Sequence, residues 1–289
     1  MPELPEVEVV KRSLIKKTQN LTIKSVEIND GRLRYKINKN HVKQIIGLKI
    51  EKILRRSKYL LFFLDKKIVM VVHLGMTGKF FFIDHKRVKT KTSFYYDIND
   101  EKDKKHDRVI FCLSKNQKLI FNDVRKFGFI RFFNQSNLKK NIHLKNLGPE
   151  PLNMKFNLNY FKNYIVNRNR NIKEILMDQK FVSGLGNIYV NEILFSSGVK
   201  PSKKTKKLSN SEIKKIIKFT KKILSKAIVL GGSSIKDFSS SSGKKGSYQQ
   251  YFNVYGKKGE NCPNKNCSNN IIKIILANRA SFYCTKCQK

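Results

Sequence analysis

Pro2 and Glu3 open the stretch "MPELPEVEVVKRSL". An initiator Met is removed in the cytosol when the next residue is small. That removal would leave Pro2 as a free secondary amine at the surface, beside the Glu3 carboxylate. Helix-start grammar covers the next residues, since Pro5 suits a first turn and Glu6 and Glu8 complement the positive end of the helix dipole. Val7, Val10 and Leu14 then form an apolar stripe at helical spacing. This grammar does not explain Pro2, so a reactive amine–carboxylate pair and a plain helix start both stay open. A second constellation lies at the other end, where four of the five cysteines fall within the last 28 residues. They read Cys262-x4-Cys267, sixteen residues, then Cys284-x2-Cys287. Two such pairs joined by a strand-rich spacer are what a tetrahedral four-thiolate zinc site requires. Four protein ligands close the site, so one Zn2+ would fold the segment rather than catalyse. Between the pairs, "KIILANRASFYC" reads as a hairpin with Arg279 at its tip, a shape suited to a nucleic-acid groove. Cys112, in "RVIFCLS", alternates with apolar neighbours and is expected to be buried in a strand.

Weaker signals lie between. Gly184 and Gly186 precede Asn187 and a helical pattern, which suits either a phosphate at a helix N-terminus or a tight turn. "RRSKYLLFF" sets Arg55, Arg56 and Lys58 before an apolar strand, as an ordinary charged strand end also would. "HLGMTG" places His73 and Met76 where a strand meets a turn. "DVRKFGFIRFF" places Arg125, Lys126 and Phe127 at another turn, where an Arg and a Phe could wedge into DNA.

The elements that must position these residues change character along the chain. From about Ser25 to Phe133, short apolar runs separated by turn signals such as Asp30-Gly31 and Thr77-Gly78 predict strands of a sandwich or barrel. "DHKRVKTKTSFYYDINDEKDKK" interrupts them as an exposed loop or insertion. Gly148, Pro149 and Pro151 mark a linker. Helices are then predicted over Phe161 to Val166, Ile172 to Met177, Ile188 to Phe195 and the long "NSEIKKIIKFTKKILSKAIVL". Ser209 and Glu212 form a capping box for the last, Ile213, Ile216, Ile217, Ile223 and Leu224 its buried stripe, and Gly231-Gly232 its end.

Composition bounds the reading. A hydrophobic share of 40% fits a globular chain, and at 289 residues it has room for two cores. No apolar run approaches the ~20 residues of a membrane span. The acidic N-terminus is not that of a signal peptide, so a soluble, cytoplasmic protein is expected, with no membrane partner. The net charge of +40 suits a polyanion partner, although AT-rich coding sequence would also enrich Lys, Asn and Ile.

Taken together, "MPELPEVE", "RRSKYLL", "HLGMTG", "KHD", "DVRKFG", "LGPEPL", "LMDQKFVSGLGNIYVNEILF", "VYGKKGE" and "ANRASFYCTKCQK" resemble the formamidopyrimidine-DNA glycosylase family, bacterial base-excision enzymes that also cleave abasic sites. The resemblance runs nearly end to end. It implies an α+β multidomain protein: an N-terminal β-sandwich with flanking helices, a helical helix–two-turn–helix domain and a C-terminal β-hairpin zinc finger. The expected segments are 1–134 for the catalytic sandwich, 135–149 for a linker and 150–238 for the helical DNA-binding domain. Residues 239–252, around "SSSSGKKGSYQQ", would form a flexible lesion-recognition loop, and 253–289 the finger. Damaged double-stranded DNA is the implied partner, held between the domains by a monomer.

Carried over by motif, Pro2 is the nucleophile toward C1′ of the damaged nucleotide and Glu3 the proton donor at the sugar. Lys58 assists β-elimination. Arg279 assists δ-elimination and grips a phosphate. His73, His106, Arg125, Arg168 and Asn187 match DNA-contacting positions, while Met76, Arg125 and Phe127 resemble the trio that fills the void left by the everted base. Glu6 and Asp178 match supporting acids. An α-amino group has a reference pKa near 7.7–8.0, so roughly a tenth is neutral near pH 7, against well under a thousandth of lysines. Two departures stand out: the C-x4-C knuckle where the family usually has C-x2-C, and the long segment from Thr90 to Lys102 near His106.

The implied substrates are oxidised purines such as 8-oxoguanine and formamidopyrimidines. One alternative is an endonuclease VIII-like glycosylase for oxidised pyrimidines, against which "PELPEVE" and the zinc finger weigh. Another is a non-catalytic zinc-finger nucleic-acid-binding protein, which has no need of the Pro2–Glu3 pair.

Overall fold

The computed structural model describes residues 2–84, 104–233 and 247–289, and the backbone of 89–91. It divides into two compact units, Met1–Lys145 with Leu230–Ser247, and Asn146–Val229 with Tyr248–Lys289. Most of the expected insertion and residues 239–246 of the expected lesion loop lie outside the described residues.

In the first unit, helix α1 (Leu4–Thr18) precedes β1 (Ile23–Ile28), the short α2 (Lys39–Lys43) and β2 (Ile50–Arg56). There follow β3 (Tyr59–Leu64), β4 (Ile68–His73), β5 (Lys79–Ile83), β6 (Lys89–Lys91), β7 (Asp107–Leu113), β8 (Gln117–Asn122) and β9 (Phe129–Asn134). They form two antiparallel sheets, ordered β1-β7-β8-β5-β6 and β2-β3-β4-β9. Strand residues of period two meet in one core: Leu60, Phe62, Met70, Val72 and Ile130 from one sheet, and Phe80, Phe82, Val109, Phe111 and Phe121 from the other. Val7, Val10 and Leu14 of α1 enter the same core, as the helical stripe predicts. The other face of the four-stranded sheet is covered as well, with Leu61, Phe63, Val69, Val71 and Phe129 packed beside Tyr35, Leu138 and Leu144. Burial on both faces is why "YLLFFL" is apolar without alternation.

Three features differ from the sequence reading. Lys89–Lys91, inside the expected insertion, adds an edge strand by pairing with Phe81–Ile83. The stretch read as the start of a linker carries a 3-10 helix, Gln135–Lys140, and packs Leu138 and Leu144 on the sheet. Cys112 is half-buried rather than buried, because the β7 register sends Phe111 and Leu113 to the core and leaves its thiol beside Glu27 Oε1 at 3.5 Å.

In the second unit, α3 (Leu158–Ile165), α4 (Ile172–Met177), α5 (Asn187–Ser197) and α6 (Asn210–Val229) precede the hairpin β10 (Ile271–Leu276) and β11 (Arg279–Cys284). The α6 capping box forms as expected, with Glu212 N donating to Ser209 Oγ at 3.2 Å and Ser209 N to Glu212 Oε2 at 2.9 Å. Helix α5 is buried almost all round, from Ile188 to Phe195. No helix among the described residues is long and apolar enough to cross a membrane.

Candidate active site and metal centre

The head of α1 is fixed by acids. Glu3 is its N-cap and donates its backbone N–H to Glu6 Oε2 at 2.9 Å. The other oxygen of Glu6 accepts from the backbone and hydroxyl of Ser233, at 2.9 and 3.0 Å. Pro2, expected at the surface, is buried in the chain that still carries Met1, as are Glu3 and Glu6. The cause is that Glu6 pins the helix start while Leu4 and Val7 are driven inward.

Lys58 sits in the two-residue turn between β2 and β3, next to Ser57 in left-handed backbone, and is 7% exposed. Arg55 holds this turn. Its NH1 donates to Ser57 O at 2.8 Å, and its Nε to Glu8 Oε2 at 2.9 Å. Glu8 also pairs with Lys11 at 2.7 Å. Burial raises the Glu8 carboxyl, but the hydrogen bonds and charges of Lys11 and Arg55 outweigh it and hold the group below its ordinary value.

Met76 lies in the turn after β4, and Arg125 and Phe127 in the turn before β9, all three exposed. The Arg125 guanidinium stacks over the Phe127 ring at 4.6 Å. His106 closes a 3-10 turn beside Arg108, whose NH2 is 3.2 Å from His106 Nδ1.

His73 is largely enclosed, stacked on Phe129 and tilted against Tyr59, with Nδ1 accepting from Gly75 N at 3.0 Å. Burial, then Lys58, Arg34 and His143, push its pKa down to about 4. The unfolded chain therefore binds a proton between pH 6.5 and about 4 that the folded chain refuses. Stability is full above that window and is lost as pH falls through it, by about 3 kcal/mol for this group. Unfolding transitions from pH 4.5 to 7.5 should show this rise with pH, and His73→Gln should flatten it. An unchanged slope in the variant would refute the assignment.

In the second unit, Arg279 stands at the tip of the C-terminal hairpin. Ala277 and Asn278, both at positive φ, make the two-residue turn that pairs it with Leu276. It lines a cavity of about 480 Å³ with Arg170, Lys173, Glu174, Asp178 and Lys180. Asp178 caps α4, accepting from Lys180 N at 3.0 Å and from Arg170 NH1 at 3.2 Å. Asn187 begins α5, after the glycine pair. Arg168 is exposed and lies over the Tyr164 ring at 4.0 Å.

The Sγ atoms of Cys262, Cys267, Cys284 and Cys287 all lie within 4.8 Å of one another. Two of the separations are 3.7 and 3.6 Å, far beyond a disulfide bond. Metal–sulfur bonds of ~2.3 Å in a tetrahedron require edges of about 3.8 Å, so the four thiols fit a metal ion. The longer first knuckle does not prevent this convergence, since Cys262 N and Cys267 N are held by Asn269 O and Asn264 O.

Residues without a sequence signal anchor this hairpin. Lys173 is fully buried and donates to Ala280 O and Ser281 Oγ at 2.7 and 2.6 Å. Asn191 Oδ1 accepts from Phe282 N at 2.7 Å, and the Glu192 carboxylate accepts from the backbone of Asn253, Val254 and Tyr255. Gln288 bridges Cys284 N to Val199 O. A charged or amide residue on an otherwise apolar helix face was the one available hint.

Comparison with known proteins agrees with this arrangement. The family model described as formamidopyrimidine-DNA glycosylase N-terminal domain matches residues 1–130, and that described as the formamidopyrimidine-DNA glycosylase H2TH domain matches 147–239. A formamidopyrimidine-DNA glycosylase of Rickettsia bellii is 42% identical, and one of Roseobacter denitrificans 36%, each over the whole of both chains. A Lactococcus lactis FPG mutant in complex with Fapy-dG-containing DNA superposes with a TM-score of 0.85 at 34% identity, covering 100% of both chains. The Lactococcus lactis Fpg with abasic-site DNA gives 0.83 at 33% identity, covering 99% of each. The chain belongs to the formamidopyrimidine-DNA glycosylase family.

Proposed function

We propose that this chain excises oxidised purines, 8-oxoguanine and formamidopyrimidines, from duplex DNA and cleaves the resulting abasic site by β,δ-elimination. The observation that carries this reading is the Pro2–Glu3 pair, held at the head of α1 by Glu6 in a chain of this family. After Met1 is removed, the neutral Pro2 nitrogen attacks C1′, and the base leaves with the glycosidic electron pair and takes up a proton. Glu3 protonates the ring oxygen, and the sugar opens to a cationic iminium. Loss of the C2′ proton expels the 3′ phosphate with help from Lys58. Loss of the C4′ proton expels the 5′ phosphate with help from Arg279. Water then hydrolyses the adduct and frees the amine.

His73, His106, Arg125, Arg168 and Asn187 contact the DNA in this reading, and Met76, Arg125 and Phe127 fill the space of the everted base. Glu6 and Asp178 support the site. The four cysteines hold one Zn2+, a borderline-soft, redox-inert ion whose usual tetrahedral coordination matches the sulfur separations.

Borohydride reduction during turnover of an 8-oxoguanine duplex tests the chemistry, because hydride addition at C1′ converts the iminium to a stable tertiary amine. A covalent protein–DNA adduct at the N-terminal peptide is expected. Absence of any adduct, with loss of Met1 verified by mass spectrometry, would exclude the enzyme in favour of a plain DNA-binding protein.

A further inference from the structure

The turn carrying Met76 and the turn carrying Arg125 and Phe127 are joined by one buried carboxylate. Asp123 is fully buried. Its Oδ1 accepts from Thr77 Oγ1 at 2.5 Å, and its Oδ2 accepts from Gly128 N at 2.8 Å. Thr77 Oγ1 in turn accepts from Arg125 N at 3.0 Å. A single hydrogen-bonded string thus runs from the residue after Met76, through Asp123, to both flanks of Phe127.

The same residue reaches the His106 turn through its backbone. Asp123 N donates to His106 O at 3.0 Å, and Asp123 O accepts from Arg108 Nε at 2.8 Å. Lys126 is drawn away from the tip, in left-handed backbone, to Asp30 at 2.7 Å. That leaves Arg125 and Phe127 exposed and stacked on each other.

Packing enforces the register. Gly75 has φ +62, and a Cβ there would lie 2.4 Å from Gly128 N and from Phe127 C. A Cβ on Gly128 would meet Asp123 Oδ2 at 3.0 Å and His73 O at 2.8 Å. The turns approach backbone to backbone, and only glycine permits it.

We infer that Asp123 and Thr77 are positioning residues: they lock Met76, Arg125 and Phe127 into one rigid wedge, so that the void-filling side chains enter the duplex together. This rests on the void-filling role proposed for those three side chains. A wedge assembled only on binding would lose rotamer and loop entropy at that moment, whereas a preformed one has already lost it in folding. Neither residue touches the reacting sugar in this scheme, so their effect is confined to the step that replaces a base.

Thr77→Val removes the hydroxyl at nearly constant shape, and Thr77→Ser retains it. Three quantities are measured: single-turnover excision from an 8-oxoguanine duplex, the fluorescence of 2-aminopurine opposite the lesion, and cleavage of a single-stranded abasic oligonucleotide, which has no base to replace. T77V should lower duplex excision roughly 10-fold and weaken the fluorescence change, since loss of fixed geometry costs rates of this order or more. It should leave single-strand cleavage near wild type although the melting temperature falls by several degrees, because Asp123 Oδ1 loses its hydroxyl donor, and T77S should behave as wild type. Asp123→Asn, which sets an NH2 or an unpaired oxygen against Gly128 N or Thr77, should reproduce T77V if it folds.

Unchanged duplex excision in T77V, or an equal fall in duplex and single-strand cleavage, overturns the proposal. Phe127→Ala separates this from the underlying reading. If F127A lowers duplex excision and T77V does not, the wedge fills the void without the lock. If F127A also changes nothing, the void-filling assignment itself falls.

Discussion

Pro2→Gly is expected to lower abasic-site cleavage by about 10²-fold or more, with duplex affinity changed only a few-fold, because a reacting atom displaced by ~1 Å loses rate on that scale. Gly still presents an α-amino group of ordinary pKa, so nucleophile basicity is not what the variant removes. It removes the pyrrolidine ring, which fixes φ at the residue before the Glu3 cap and makes the adduct a permanently charged iminium. The DNA contacts proposed for Arg125, Arg168 and Asn187 lie on other elements and should persist. A sharper form of the same test retains Met1, which turns the Pro2 nitrogen into an amide without a basic lone pair. That protein should bind duplex DNA and give no borohydride-trapped adduct. Binding lost in step with cleavage in Pro2→Gly would contradict the nucleophile role, as would a trapped adduct in the Met1-bearing chain.

The parts of this site that are local in sequence were legible there. The Cys262–Cys287 quartet announces itself by spacing, and the sulfur atoms do converge. Pro2, Glu3 and Glu6 are close neighbours in sequence, so a helix start with acids at its positive end was legible, although the bond from Glu3 N to Glu6 Oε2 was seen only in the structure. What could not be read is the far side of each long-range bond. Glu6 meets Ser233, Thr77 meets Asp123, and Lys173 meets Ser281, each pair separated by dozens to hundreds of residues and placed by the fold. Lys173 illustrates the physical reason. Within "NIKEILMD" a lysine reads as solvated, since burying an ammonium is costly unless acceptors meet it, and those acceptors come from β11. Cys112 failed in the opposite direction. Strand propensity was right, but a one-residue step in register decides which face meets the core.

Removing the metal is the second large perturbation. Stripping the protein with a strong chelator, or replacing Cys284 by Ser, should lower duplex affinity roughly 10-fold or more, since a structural metal ion contributes folding free energy directly and the finger carries Arg279, the residue proposed to grip a phosphate. The core beneath the finger is small: Cys262 and Cys284 pack with Phe195, Val254, Ile271 and Phe282, and the half-buried Tyr255 and Ala280 lie against them. Four thiols at this separation without an ion would be crowded polar groups in that core, so the hairpin root should loosen first. The damage should stay local, however, because α5 is buried along its whole length and α6 has its own cap and apolar stripe. The bonds from Lys173, Asn191 and Glu192 hold the hairpin to this helical frame at points away from the thiols. Far-UV circular dichroism should therefore keep its helical signal while DNA binding falls, and added Zn2+ should restore binding to the stripped protein but not to Cys284→Ser. A metal-free protein with undiminished affinity would show that the anchors alone hold Arg279 in place. Global unfolding on chelation would show instead that the helical frame depends on the metal, contrary to its packing.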